Sequence, residues 1–418
     1  MRLKSLWNRR GFLGTAAGMV ASIFAPHKLS SAVSTVAGRT TVGGFGQTGN
    51  PYDELGVTTV INCEGTMTML GGSILRPELE AVMAMAGRHF VGIPDLEVAA
   101  GKRITEMLKL TDGYAALVTS GAAAAMQSGL AGILTGDNEA LIRQLPDLTG
   151  MKSEVIIQKS HRNPFDHQLR STGVKLIEIE TREQLRQAIN ERTAMMHFSN
   201  FANAEGQIKV DEWVKLAKQY NIPCMNDAAA DTPPVSHLWD YANMGYDLIA
   251  FSGGKAMQGP QCAGLLIGRK DLVAYALLNN SPHEDTLGRS QKVGKEEIIG
   301  MVKAVELYLK EDHDALAREW QDRLERISRE LTKIPGVNTS FFIPDIANHV
   351  PHMHINWDSR VPVEPQQVAK LLRNSKPAIV IGGGEGRPGL TMCSFMLQPG
   401  EDKIVTEQLS RILREHSA

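Results

Sequence analysis

The stretch Asp247-Leu-Ile-Ala-Phe-Ser252-Gly253-Gly254-Lys255-Ala-Met-Gln-Gly259-Pro260-Gln261-Cys262-Ala-Gly-Leu-Leu-Ile-Gly-Arg-Lys270 leads an apolar strand through two glycines to a lysine and on into a second apolar run. A lysine held on a glycine turn after a buried strand loses its proton more easily, through desolvation and nearby positive charge, and its free amine can condense with an aldehyde. A solvated loop lysine would be written with the same letters. Two other segments separate these readings.

Upstream, Pro223-Cys224-Met225-Asn226-Asp227-Ala228-Ala229-Ala230-Asp231 follows the amphipathic pattern of Val210 to Tyr220. Asp227 then ends a parallel strand, where a carboxylate faces the ligand crevice of an open α/β sheet and can pair with a protonated ring nitrogen. An Asp before an Ala run is also a good helix N-cap. Asp231 suits the cap better, which leaves Asp227 for the ligand. Earlier still, Ala115-Ala116-Leu117-Val118-Thr119-Ser120-Gly121-Ala122-Ala123-Ala124-Ala125-Met126 is an apolar strand that breaks at Ser-Gly and enters an Ala-rich helix. Free amides at that helix start, with the Ser120 hydroxyl, suit a phosphate. A plain Ser-Gly turn with a capped helix would look alike, so the information lies in the order: anion loop, strand-end Asp, strand-end Lys.

That order resembles the fold-type I pyridoxal-phosphate enzymes. With Ile61-Asn-Cys-Glu-Gly-Thr-Met-Thr-Met-Leu-Gly-Gly-Ser73, His161-Arg-Asn-Pro-Phe-Asp-His167 and Gly259-Pro260-Gln261, the likeness narrows to the branch related to bacterial selenocysteine synthase (L-seryl-tRNA selenium transferase). Within it the sequence is most similar to the non-tRNA members that include D-glucosaminate-6-phosphate ammonia-lyase, over roughly residues 57 to 415. The resemblance implies an α/β fold of the fold-type I transferase kind, with a mostly parallel sheet in a large domain and a smaller α+β C-terminal domain. It implies pyridoxal 5'-phosphate as cofactor, Lys255 as its Schiff-base lysine, Asp227 on the pyridine nitrogen, and Ser120, Gly121, Ala122 and Ser252 on the phosphate. His161 would stack on the ring face opposite Lys255, unless it is a surface histidine of a polar loop. Gly254 stands where the tRNA-dependent transferases tend to carry an acid, which favours the lyase-like branch.

Such an enzyme acidifies an α-proton, and Lys255, once released as an amine, is the natural base. A leaving group on the β-carbon then gives α,β-elimination, a 2-keto acid and ammonia. The substrate expected is a small β-hydroxy or β-substituted amino acid, with an amino-sugar acid or a D-amino acid among the candidates. The same residues would serve an aminotransferase, a racemase or a selenium-transferase-like enzyme, and a non-catalytic ligand-binding homologue could keep them too. A substrate carboxylate calls for an arginine fork; Arg387, in the Gly-rich run Gly382 to Pro388, is the first candidate, with Arg162 and Arg76 behind it. His349, His352 and His354 raise the question of a metal. Met353 to Trp357 alternates as a strand would, with no acid or Cys cluster beside it, so no metal is expected.

At the amino terminus, Asn8-Arg9-Arg10-Gly11-Phe12-Leu13-Gly14 precedes a mildly apolar, Ala/Gly-rich stretch to Ala25 and a small-residue site at Ser30-Ser31-Ala32. This resembles a twin-arginine export signal; a membrane span needs about 20 more strongly apolar residues. The expectation is a periplasmic enzyme exported folded by the twin-arginine machinery with its cofactor aboard, or one tethered to the inner membrane if the signal stays uncut. Cys63, Cys224, Cys262 and Cys393 have no CxxC spacing, and Cys224 and Cys262 read as buried thiols.

The chain of 418 residues, 43% hydrophobic with net charge -2, is large enough for one big core and a second smaller one. Near-neutral charge without a basic stripe outside the signal argues against nucleic acid. The organisation expected is a signal over 1–32, a Gly/Thr-rich linker over 33–56, an arm and large cofactor domain over 57–290, and linking helices with a small domain over 291–418. A homodimer or higher homo-oligomer is implied by the resemblance, since sites of this fold are commonly built across a dimer interface.

Overall fold

The computed structural model describes residues 49–383 and 388–417. The export signal and Arg387 lie outside the described residues, so their assignments stay expectations. Residues up to Thr58 form a separate unit, whose described part holds one short helix, Pro51–Glu54, capped by the Asn50 side chain on the Tyr52 amide. The unit from Thr59 onward carries everything else.

Its first strand, β1 (Val60–Asn62), is followed by seven that form the large sheet: β2 (Tyr114–Thr119), β3 (Glu154–Gln158), β4 (Lys175–Ile179), β5 (Thr193–Ser199), β6 (Cys224–Asp227), β7 (Leu248–Ser252) and β8 (Gly264–Arg269). The order across the sheet is β2-β8-β7-β6-β5-β3-β4. Only β8 runs against its neighbours; the pairs from β7 to β4 are all parallel. Parallel strands covered on both faces become apolar on both, and side chains of alternating parity supply two different cores. Met196, Phe198, Ile249, Phe251, Leu265 and Ile267 point into one. Met195, Met225, Leu248, Ala250 and Leu266 point into the other, beneath helix Gly121–Thr135.

The C-terminal part adds β9 (Val337–Phe342), β10 (His352–Trp357), β11 (Ala378–Val380), β12 (Gly382–Gly383) and β13 (Leu390–Cys393). An antiparallel sheet of order β12-β13-β10-β9 packs with helices His313–Leu331, Pro365–Arg373 and Glu401–Glu415 around a third core. Two placements depart from the sequence grouping. β1, at the start of the arm, pairs in parallel with β11, and Ile61 and Cys63 enter the C-terminal core. Helix Lys295–Tyr308, grouped in sequence with the linking helices, buries Ile298, Met301, Val305 and Tyr308 in a core of the large sheet. Of the cysteines read as buried, Cys224 is buried and Cys262 is exposed.

Candidate active site

The register of the large sheet brings the three signature segments to one edge. Thr119 pairs with Gly264, which pairs with Ser252, while Ser199 pairs with Asp227 and Asp227 with Ala250. The residues following β2 and β7 and the end of β6 therefore open on the same side, the carboxyl end of the parallel strands, where ligands bind in such sheets.

At β2 the chain turns through Gly121, whose φ of 81° is a conformation that favours glycine. Helix Gly121–Thr135 starts without a side-chain cap: the Ser120 hydroxyl makes no capping bond, and among the described residues a Cβ on Gly121 would meet nothing within 4 Å beyond its chain neighbours. The first amides of that helix have no partner within it, which makes the turn an anion site.

Asp227 is buried, and one oxygen, Oδ1, accepts from the Ala229 amide at 3.2 Å. Burial raises its pKa, against the opposing pull of Lys255. Lys255 is half-buried, and burial lowers its pKa while Asp227 and Asp231 act to keep its proton. The lysine turn is braced by the arm. A side chain at Gly72 would run into the Gly254 carbonyl and the Gln261 side chain, and one at Gly254 would bring Cβ to 2.7 Å from the Gln261 Cα. An acid in place of Gly254 would thus require the backbone to move. Gln258, just beyond the lysine with φ 52°, accepts from Arg76 Nε at 2.7 Å.

Asp231, expected to cap a helix, does no such thing. The next helix is His237–Met244, with Ser236 at its N-cap. Pro233 and Pro234 separate it from the strand, and the residue before a proline is pushed away from helical backbone. Asp231 folds back to be 2% exposed. Its Oδ2 accepts from Asn200 Nδ2 and, at 3.2 Å, from Tyr241 OH, and its main-chain oxygen accepts from His237 Nδ1 at 2.7 Å. Asn200 and Tyr241 went unread in the sequence; the position of Asn200 directly after a buried strand was the signal available.

His161 does not offer a face to a cofactor ring. It is fully buried, edge-on to Phe198 with centroids 4.5 Å apart, and its Nδ1 accepts from the Ser199 amide at 3.2 Å. Nε2 lies 3.1 Å from the Gln158 amide nitrogen, and burial pushes the imidazole down to about 4, so it is neutral. It fixes the turn that carries Ser199 and Asn200 instead of stacking. Arg162 is also spent: Nε pairs with Asp166 at 2.5 Å and Nη1 with Glu178. Arg76 pairs with Glu311 at 2.8 Å, tying the end of the arm to the residues after helix Lys295–Tyr308. Neither guanidinium stands free for a carboxylate.

The histidines of β10 lie along one strand face, His354 stacked on Phe342 at 4.3 Å. Among the described residues no group of three His, Cys, Asp or Glu side chains could hold a metal ion. A cavity of about 730 Å³ between helices His313–Leu331 and Glu401–Glu415 is lined by neither Lys255 nor Asp227.

A phosphate, a ring nitrogen and an aldehyde would thus meet unpartnered amides, a buried carboxylate and a lysine with a lowered pKa. The donor set fits pyridoxal phosphate, with Ser120, Gly121 and Ala122 for the phosphate, Asp227 for the nitrogen and Lys255 for the aldehyde.

Comparison with known proteins gives the same direction. Residues 99–387 match the model of the aminotransferase class-V family. The chain is 28% identical over 388 residues to a D-glucosaminate-6-phosphate ammonia lyase of Salmonella typhimurium, spanning 89% of this chain and 100% of that protein. It is 27% identical to a 5'-C-glycyluridine monooxygenase-decarboxylase of a Streptomyces species, over 87% of this chain and 92% of that one. An L-seryl-tRNA(Sec) selenium transferase of Mannheimia succiniciproducens is 29% identical, over 60% of this chain and 57% of that protein. A solved structure of D-glucosaminate-6-phosphate ammonia-lyase superposes with a TM-score of 0.76 at 26% identity, covering 88% of this chain and 99% of that chain.

Proposed function

Because the chain belongs to the aminotransferase class-V family and is a pyridoxal-phosphate-dependent enzyme, we propose that it is a lyase, removing ammonia from a β-hydroxy or β-substituted amino acid by α,β-elimination. The observation that carries the site is the convergence of Lys255, Asp227 and the helix start at Gly121 on one sheet edge. The lyase reading is supported by the match to an ammonia lyase along the whole length of that relative.

Bound there, pyridoxal phosphate supplies an electron sink for the charge left when an α-proton departs. The protein does the rest. The amides of Gly121 and Ala122, with Ser120 Oγ and Ser252, would hold the phosphate, and Asp227 would hold the ring nitrogen protonated. With the cofactor in place, Lys255 Nζ would be the group that accepts the α-proton. Its lowered pKa keeps a share of free amine for that task. Overall the substrate would lose its α-proton and its β-hydroxyl together as one water, and the resulting enamine would take up one water to give the 2-keto acid and ammonia. An amino-sugar acid is the substrate class favoured by the named activity of the relative; a D-amino acid is the other class to test.

The protein is further proposed to act in the periplasm after twin-arginine export, on the strength of Arg9-Arg10 and the mildly apolar run behind them. It is proposed to work as a homo-oligomer, because Met85, Phe90, Val91 and Val98 are exposed beside an apolar groove.

The test is the visible spectrum of protein recovered from the periplasmic fraction, beside Lys255→Ala. β-hydroxy amino acids and amino-sugar acids of both configurations are then added with ammonia assayed. A yellow, borohydride-reducible protein, colourless in the variant and releasing ammonia from one candidate, is expected. Colour retained in Lys255→Ala would remove the lysine from its role, and product formed only with a keto-acid acceptor would replace the lyase by an aminotransferase. Protein confined to the cytoplasm would end the export reading.

A further inference from the structure

Among the described residues, the charged groups that act on Lys255 are two buried carboxyls, Asp227 and Asp231. Each is almost wholly shielded from water, at 5% and 2% exposure. Two ionised carboxylates against one ammonium would leave an uncompensated buried charge, which is costly, and neighbouring carboxyls relieve it by keeping a proton between them. Geometry decides where that proton sits. Asp227 is the member whose oxygen takes a backbone amide and whose strand-end position faces the proposed ring nitrogen. Asp231 receives Asn200 and Tyr241 both on Oδ2, and among the described residues no hydrogen bond engages Oδ1, which is thus able to carry a proton.

We propose that Asp231 is a positioning residue of this pocket, a second buried carboxyl that exchanges a proton at Oδ1 and thereby sets how firmly Lys255 keeps its own. The proposal rests on the assignment of Lys255 as the cofactor lysine. The groups facing Asp231 are Asp227 from β6, Lys255 from the turn after β7, Asn200 from the turn after β5, and Tyr241 and His237 from helix His237–Met244, with Asp240 acting on Tyr241. Burial pushes the Asp231 carboxyl up to about 7; the charge of Asp227 adds to this, while the donors Asn200 and Tyr241 and the cation Lys255 oppose it. Below that range Asp231 is neutral and Lys255 faces a single negative charge. Above it a second charge appears and holds the ammonium more tightly, so the free amine of Lys255 increases less steeply with pH than for a lysine facing Asp227 alone.

Asp231→Asn imitates the protonated form: it accepts from Asn200 and Tyr241 and cannot ionise. Two readouts are compared with wild type across roughly pH 5.5 to 8.5, about one and a half units either side of neutrality. The first is the infrared absorption of protonated carboxyl groups in the apoprotein, where Glu97, also pushed up to about 7 by burial, contributes equally to both proteins. The second is the rate at which the apoprotein captures pyridoxal phosphate, read by the growth of visible absorbance. Wild type is expected to show a carboxyl band titrating near neutrality that Asp231→Asn lacks. The midpoint of cofactor capture is expected to move down by about one pH unit or more in the variant, the size of effect one nearby opposite charge exerts.

An unchanged band in Asp231→Asn would show that the proton belongs elsewhere, and an unchanged capture profile would show that Asp231 does not act on Lys255; either overturns the proposal. Should Asp231→Asn not fold, Tyr241→Phe removes one donor to Oδ2 and is expected to carry the band to higher pH; no movement overturns the proposal equally. Wild-type apoprotein that shows the band but captures no cofactor would instead break the assignment of the pocket to pyridoxal phosphate.

Discussion

His161 and His197 are neutral groups sealed behind the site. Burial holds His161 down to about 4 and His197 down to about 3, and the His197 Nδ1 has no hydrogen-bond partner among the described residues. An unfolded chain protonates both near 6.5. Between that value and the lowered ones the unfolded state binds more protons, so stability is fully present above about pH 6.5 and is lost as the pH falls toward 4 and then 3. For His197 alone the drop from pH 7 to pH 5 amounts to about 2 kcal/mol, at roughly 1.4 kcal/mol per unit. His197→Gln should be less stable than wild type at pH 7 yet lose about 2 kcal/mol less on going to pH 5, read from urea midpoints at the two pH values. A variant with an undiminished pH dependence would mean that His197 is already protonated in the fold. The same residues show what could be read in the letters alone. Lys255, Asp227 and Ser120 stand out because each closes an apolar strand at a glycine or alanine turn, a local pattern. The errors concern what a side chain touches across the fold. His161 is read as facing a ligand when the turn after β5 encloses it, Arg162 as free when Asp166 and Glu178 hold it, and Asp231 as a cap when the prolines after it postpone the helix.

Between β2 and β7 lies the one antiparallel strand of the large sheet, β8, and its first residue closes the anion site from beneath. A Cβ at Gly264 would stand 2.6 Å from the Gly121 carbon and 2.8 Å from the Ala122 nitrogen, with the Phe251 oxygen at 2.7 Å. All three are backbone atoms that cannot rotate away. Gly264→Ala should therefore push the start of helix Gly121–Thr135 off the strand, at a cost of about 1–3 kcal/mol in stability. It should also turn the amides proposed for the phosphate out of line, weakening pyridoxal phosphate binding at least about tenfold, which is roughly 1.4 kcal/mol. Titration of the apoprotein with the cofactor, beside a thermal melt, measures both. Full affinity in a folded variant would place the phosphate elsewhere. Strands at this scale are legible as mostly apolar runs of four to seven residues. Strand direction and partner are not: nothing in Gly264–Arg269 marks it as antiparallel, and the pairing of β1 with β11 joins segments from opposite ends of the described chain.

Among the described residues the two faces of the large sheet and the C-terminal sheet are each covered by their own core, and an apolar groove lies open beside the helices of the large domain. Helices Pro77–Ala86, Ile93–Leu108 and Lys295–Tyr308 pack together and leave Val82, Met85, Val91, Leu96 and Ile299 lining a groove, with the Phe90 ring wholly in solvent at the turn between the first two helices. Apolar area left in water is unfavourable by about 25 cal/mol per Å², and a contiguous patch of this kind marks an interaction surface. The helix Pro77–Ala86 begins next to Arg76, which reaches Gln258 in the lysine turn, so a second copy seated on the groove would steady that turn as well as cover Phe90. Wild type should then sediment as a dimer or larger assembly. Phe90→Glu, which alters no residue of the lysine pocket, should shift it toward the monomer and loosen cofactor retention on gel filtration together. Dissociation without loss of cofactor would limit the interface to assembly alone. A wild-type monomer at micromolar concentration would leave the groove without its second copy, and the expectation drawn from the fold would fail with it.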